Sequence, residues 1–241
     1  MNSLGVSPAS AASNRVIVDT TAPVVKAPAV SLRTGRQLNG LNVPVRVAWS
    51  GSDTLSGIAA YGLERSVNGG TTYSAVSLSP ATATVRYTTL AAGTASHRFR
   101  TRATDASGNT SAWAQGPALA VSLVDDATTK VTYRGAWSTS RPTTASGRTL
   151  HSTNARGASA SITFTGRGIA WVAPRGTTRG KANVYLDGRR VGTVNLYAAS
   201  ASRILVFSKA WSTSGRHTLR IVAVGTAGHP RIDVDAFAIV K

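Results

Sequence analysis

From Val43 to Trp49 the chain alternates: Val43, Val45, Val47 and Trp49 stand at every second position. That period-two spacing puts them on one face of a half-buried β-strand. Similar runs recur over 24–32, 58–67, 71–78, 83–90, 97–104 and 117–124, separated by turn residues. Pro28 interrupts the first run and sends it to a sheet edge. Asn68-Gly69-Gly70 supplies the hairpin turn between the third and fourth runs. Beyond residue 130 the strand candidates are 131–137, 158–164, 168–173, 181–187, 190–196, 203–208, 216–224 and 231–240. Asp187-Gly188 marks a hairpin there. Ala182, Val184 and Leu186 point one way, and Lys181, Asn183 and Tyr185 the other. No long segment has helical periodicity. The expectation is an all-β chain: a β-sandwich over 19–124, a linker at 125–130 and a second sandwich over 131–241.

The start of the chain echoes its middle. Asn109 leads through a Ser/Ala/Pro-rich stretch into an apolar strand ending at Asp125, and Asn2 does the same into Arg15-Val-Ile-Val18 and Asp19. Residues 1–18 then read as the last strand of a preceding repeat.

Two resemblances follow from these residues. Asp19-Thr-Thr-Ala-Pro23, Val47-Ala-Trp-Ser-Gly-Ser-Asp53 with Ser56-Gly-Ile58, and Phe99-Arg-Thr-Arg-Ala-Thr-Asp-Ala-Ser-Gly-Asn109 resemble bacterial Ig-like and fibronectin type III-like repeats. The pattern departs at His97, where the fibronectin sequence places a Tyr whose hydrogen bond His Nδ1 or Nε2 could replace. Val184-Tyr-Leu-Asp-Gly188, Trp211-Ser-Thr-Ser-Gly-Arg-His-Thr-Leu-Arg220 and Ile232-Asp-Val-Asp-Ala-Phe237 resemble galactose-binding-like jelly rolls, a class that includes many carbohydrate-binding modules. The resemblances imply an Ig/fibronectin-III-like sandwich followed by a C-terminal jelly-roll β-sandwich, on the outside of a bacterial cell.

Charge sharpens this reading. Among 241 residues, 27 Lys and Arg face 9 Asp and Glu, a net charge of +18. Residues 126–241 hold 17 of the basic groups and 4 of the acidic ones. Such a surface attracts anionic wall polymers, acidic polysaccharides or nucleic acid. The absence of a recognition helix, zinc finger or RNP motif argues against specific nucleic-acid binding. Cysteine is absent, which excludes disulfides and thiol chemistry. No apolar run is long enough for a membrane span.

Catalysis finds little support in spacing. His97, His151, His217 and His229 are scattered, with no His-x-x-x-His or His-Glu spacing. Asp233 and Asp235 share one face of a strand and could pair, but no His or Glu motif lies near them. The reading is a non-enzymatic module without a cofactor. Asp126 with Asp233 or Asp235 could hold a calcium ion, as related modules do; alternatively these are surface aspartates countering Arg231 and Arg156. Asp19, Asp53 and Asp105 fit Asx-turn roles.

Sugar binding needs an aromatic platform beside polar groups. Trp137 and Trp211 sit in a repeated Ala-Trp-Ser-Thr-Ser pentapeptide, bordering one ligand groove or else capping the core at a sandwich end. Trp171, in mid-strand, reads as core. The loop 173–181 gathers Arg175, Arg179 and Lys181 for carboxylate or phosphate contact, and Tyr185 projects from the face of Lys181. The expected function is a non-catalytic extracellular module, an Ig-like spacer carrying a jelly roll that binds glycan or cell-wall polymer. The alternative is a structural or assembly module that packs against neighbouring copies.

Overall fold

The computed structural model describes residues 18–241; the echo at residues 1–17 lies outside them. The described residues are nearly all β, with one 3₁₀ turn among them at Ser146–Arg148. The strands are β1 (Val24–Leu32), β2 (Asn42–Ser52), β3 (Ile58–Ser66), β4 (Ser74–Val76), β5 (Val85–Ala91), β6 (Ser96–Asp105), β7 (Ala114–Gln115), β8 (Leu119–Asp125) and β9 (Val131–Arg134). They continue with β10 (Ser138–Ser140), β11 (Leu150–Thr153), β12 (Ser159–Arg175), β13 (Lys181–Leu186), β14 (Arg189–Asn195), β15 (Ser202–Ala223), β16 (Ile232–Val234) and β17 (Ala236–Val240).

A three-stranded sheet, β1-β2-β5, faces strands in the order β4-β3-β6-β8. Pro28 does lie in the edge strand, and the β1 register shifts between Lys26 and Ala29. Val43, Val45, Val47 and Trp49 all point into the core, as their alternation requires.

The other sandwich packs β14-β13-β15-β12, with β9 and β17 alongside β12, over the small sheet β10-β11-β16. Its core holds Ile162, Phe164, Trp171, Val184, Leu219, Ile221 and Phe237. Asp187 and Gly188 both have positive φ (50° and 81°), the conformation of a two-residue hairpin turn.

Two expected strand breaks are absent. Residues 158–164 and 168–173 form one strand, and so do 203–208 and 216–224. The antiparallel ladder runs to Gly166 opposite Gly215 and resumes at Gly168 opposite Ala210. Residues 211–214 bulge out against Arg167, so the glycines mark a bulge and not a turn. A Cβ on Gly166 would sit 2.5 Å from the Val240 carbonyl, which explains the glycine. Residues 231–240 split instead, at Asp235.

The sheets do not stop at residue 125. β8 touches β6 through two residue pairs, then pairs with β17 along five, from Val121–Val240 to Asp125–Ala236. One sheet therefore continues between the halves. A single core cluster draws on both: Leu32, Leu38, Val43 and Leu90 pack with Ala170, Val172, Leu205, Ala236 and Val240. The segment after β1 clasps β15, with Gly35 N donating to Leu205 O (2.8 Å) and Leu205 N to Arg36 O (3.0 Å).

Candidate functional site

The chemistry of residues 126–241 gathers around buried acids. Asp126, Asp233 and Asp235 are completely buried, which corrects the expectation of surface aspartates. A carboxylate out of water needs partners, and each has them. Asp233, on β16, accepts from Arg179 Nε (2.8 Å) on one side and from Arg231 NH2 (2.7 Å) on the other. Asp235 is paired with Arg203 and accepts from Ser146 N at 2.8 Å. Asp126 accepts from Thr149 Oγ1 (2.7 Å) and His151 N (2.7 Å), and it pairs with His151 Nδ1 (2.7 Å). Asp233 and Asp235 do not pair with each other, and Asp233 holds two guanidiniums where a cation would have to sit. Arg156 is not among the salt-bridge partners found in the described residues.

Burial pushes the Asp126 carboxyl above the ordinary range, against the opposing bonds from Thr149 and His151. Burial raises Asp235 as well, despite Arg203. The Tyr133 phenol is pushed up by burial and by the charges of Asp126 and Asp125.

Above these acids lies an aromatic stack. His151 lies flat on Tyr133 (centroids 4.3 Å apart, planes 14° apart), and Tyr133 tilts against Trp137 at 4.9 Å. Trp137 Nε1 donates to Arg134 O at 3.1 Å, which fixes the indole. The half-buried ring walls an open groove of about 640 Å³, together with Ala136, Ser138, Ser152, Asn154 and Arg231. Asp233 holds Arg231 at the groove edge and Arg179 on its other side. A fixed ring beside an amide, hydroxyls and a guanidinium suits a sugar ring with polar substituents.

The other expected site residues are placed apart from this groove. Trp211 stacks on His217 (3.9 Å, 13°) near Phe164, and His217 Nδ1 pairs with Asp187 at 2.8 Å. The His217 hydrogen bond, helped by Thr218 N, holds the Asp187 carboxyl below the usual range. Trp211 follows Ala210, which pairs with Gly168, whereas Arg134, just before Trp137, pairs with Ser159. The two rings rest on different neighbours, Trp211 on Phe164 and Trp137 on Tyr133, which pairs with Ala160 four residues away along β12, and Trp211 does not line the Trp137 groove.

Arg175 donates to Tyr197 O at 2.7 Å. Arg179 and Lys181 line a smaller hollow of about 210 Å³ with Tyr197 and His229. Tyr185 lies farther along β13, under the Arg220 guanidinium at 4.6 Å. Trp171 is fully buried, as expected of core.

In the first sandwich, Asp19, Asp53 and Asp105 bring carboxylate oxygens within 4.8 Å of one another. Their oxygens accept backbone donors: Thr21 N on Asp19, Ser56 N and Gly57 N on Asp53, Ser107 N and Asn109 N on Asp105. His97 is buried, with Nε2 3.0 Å from Ala91 O and Nδ1 3.3 Å from Arg65 NH2. Because a guanidinium only donates, Nδ1 accepts and the Nε2 proton goes to Ala91 O.

No family model matches the chain. Over 124 residues, 52% of its length, it is 36% identical to the A type blood N-acetyl-alpha-D-galactosamine deacetylase of Flavonifractor plautii. Over 122 residues, 51% of its length, it is 32% identical to the A type blood alpha-D-galactosamine galactosaminidase of the same organism. It spans 16% and 11% of those two proteins. Among solved structures it is similar to the CBM36-1 domain of a multidomain xylanase from the hindgut metagenome of Trinervitermes trinervoides, at a TM-score of 0.36 and 13% identity, over 49% of this chain and 95% of that domain.

These relatives overturn the expectation of a non-catalytic, non-enzymatic module, since both are named as enzymes. Sequence spacing was a poor guide here. The His151–Asp126 and His217–Asp187 pairs join positions 25 and 30 residues apart, which no local motif reveals. His151 and the Tyr133 stacked on it lie outside the expected site for that reason, whereas Arg231, only two residues from Asp233, reads in the sequence as a surface countercharge. No helix among the described residues is long and apolar enough to cross a membrane.

Proposed function

We propose that this chain is the sugar-engaging part of an extracellular glycan-processing enzyme, holding a galactosamine-type residue against Trp137. The observation that carries this reading is the groove itself: a fixed indole faces Asn154, Ser138, Ser152 and the Asp233-anchored Arg231. The ring packs on the apolar face of the pyranose, and Asn154 and Arg231 reach its substituents. The two relatives named for galactosamine substrates supply the sugar class.

The architecture proposed with it is a fibronectin-III-like unit over 19–124 and a galactose-binding-like jelly roll over 131–241, joined at 125–130. The order β1-β2-β5 against β4-β3-β6-β8 supports the first unit. His97 bonded to Ala91 O stands in for the missing Tyr.

The test titrates the whole chain with an oligosaccharide ending in α-N-acetylgalactosamine, by calorimetry in 0.5 M NaCl, and assays the same samples for released acetate and sugar. The expected result is saturable, salt-resistant binding that Trp137→Ala abolishes and Arg231→Gln weakens. Binding unchanged in Trp137→Ala, or absent from the parent chain, would overturn the proposal.

A further inference from the structure

The solvent face of the sheet β14-β13-β15-β12-β9 carries an uncompensated field of cations. Alternation puts Lys181, Asn183 and Tyr185 of β13 on that face. The register extends the rows across the sheet. Tyr185 pairs with Arg190 on one side and Arg220 on the other, and Arg220 pairs with Ser161, which pairs with Thr132. One row along, Asn183 pairs with Thr193 and Val222, then Ser159 and Arg134 follow. Toward the other end lie Thr218 with Thr163 and Arg216 with Thr165. The face thus presents Arg134, Lys181, Arg190, Arg216 and Arg220, all exposed, between short hydroxyl side chains.

None of these five cations is in a salt bridge among the described residues. The local acids explain why. Of the four in residues 126–241, Asp126, Asp233 and Asp235 are fully buried. The fourth, Asp187, is held by His217 and Thr218 N. The carboxylates that balance this half of the chain have been withdrawn into its interior, and the positive charge is left outside.

We infer that this face binds an acidic polysaccharide bearing carboxylates, at a surface separate from the Trp137 groove. Spacing argues for a polymer. Arg190 and Arg220 stand two strands apart, about 10 Å, and Arg216 lies four residues from Arg220, about 13 Å. Cations so far apart cannot share one small anion, but each can meet a different residue of a long one. Four of the five are Arg, whose planar fork matches a carboxylate. Arg190 is already oriented by Asn183 Oδ1 (3.0 Å) and Thr193 Oγ1 (2.7 Å). The hydroxyls of Thr132, Ser161, Thr163, Thr193 and Thr218 lie between the charges, where sugar hydroxyls would pass. Nucleic acid fits less well. Tyr185, the aromatic residue on this face, is covered by Arg220 at 4.6 Å and cannot stack a base, and no element projects to enter a groove.

The experiment measures binding of the whole chain to immobilised polygalacturonate by biolayer interferometry at 0.1 M NaCl, with neutral dextran and a 20-bp DNA duplex as comparison surfaces. Arg190→Gln/Arg216→Gln/Arg220→Gln is compared with a charge-matched control, Arg36→Gln/Arg46→Gln/Arg86→Gln, in the first sandwich. At about twofold per exposed charge, the face variant should lose about tenfold on polygalacturonate, and the control less than twofold. Binding of the N-acetylgalactosamine oligosaccharide should be unchanged in the face variant, so this proposal and the Trp137 reading can fail separately. Equal losses in the two triple variants would reduce the effect to net charge and overturn the inference. So would absence of polygalacturonate binding, equal binding to dextran, or tighter binding to the duplex.

Discussion

Leu205 is the sharpest probe of how the two halves are joined. Its backbone is bonded to Gly35 and Arg36 of the first half, and its side chain is fully buried in the core cluster drawn from both. Leu205→Ala removes three carbons, about 2.4 kcal/mol of transfer free energy at about 0.8 kcal/mol each. The cavity raises the loss to about 3–4 kcal/mol, because strands on both sides restrict collapse. For a chain of this size that corresponds to a fall in Tm of about 10 °C. Differential scanning calorimetry is the assay. If β8–β17 pairing and the common core bind the halves into one cooperative unit, a single endotherm moves as a whole. Leu219→Ala, whose side chain lies in the other core, then moves the same endotherm. Two resolved endotherms, with Leu205→Ala shifting only one, would refute the reasoning.

Two further outcomes follow from the geometry. Burial lowers the pKa of His97 from its ordinary value near 6.5, and the Arg65 charge adds to this against the opposing Ala91 carbonyl bond. The folded state therefore prefers the neutral ring, so the His97 contribution is complete above pH 6.5 and is lost as pH falls through the lowered value. In urea titrations from pH 7.5 to 4.5, the stability gap between the parent chain and His97→Gln should narrow with acid; a constant gap would show that the ring does not titrate in this window. Gly180→Ala would drive a Cβ into the His229 carbonyl and to 2.8 Å from Thr226 Oγ1. Rigid backbone cannot yield there, so the expected loss is about 3 kcal/mol or more, read from thermal midpoints, and parent-like stability would contradict the packing described.

Period-two patterning determined much of this protein. The buried face of β2, the edge position of β1, the β13–β14 hairpin at Asp187-Gly188 and the core role of Trp171 are all local consequences of side-chain alternation and turn chemistry. These depend on neighbours within a few residues, and a linear sequence carries that information. Tertiary structure decided the rest. Gly166, Gly168 and Gly215 look like strand ends but sit at a bulge, because the partner strand and the Val240 carbonyl fix what a glycine does. Trp137 and Trp211 share a pentapeptide, yet different register partners place them on different neighbours, Trp137 beyond the start of β12 and Trp211 at the bulge in its middle. Asp126, Asp233 and Asp235 read as surface charges. Only folding brings His151, Arg179 and Arg203 to them, beside the neighbouring Arg231, and that pairing both permits their burial and leaves a bare cationic face outside.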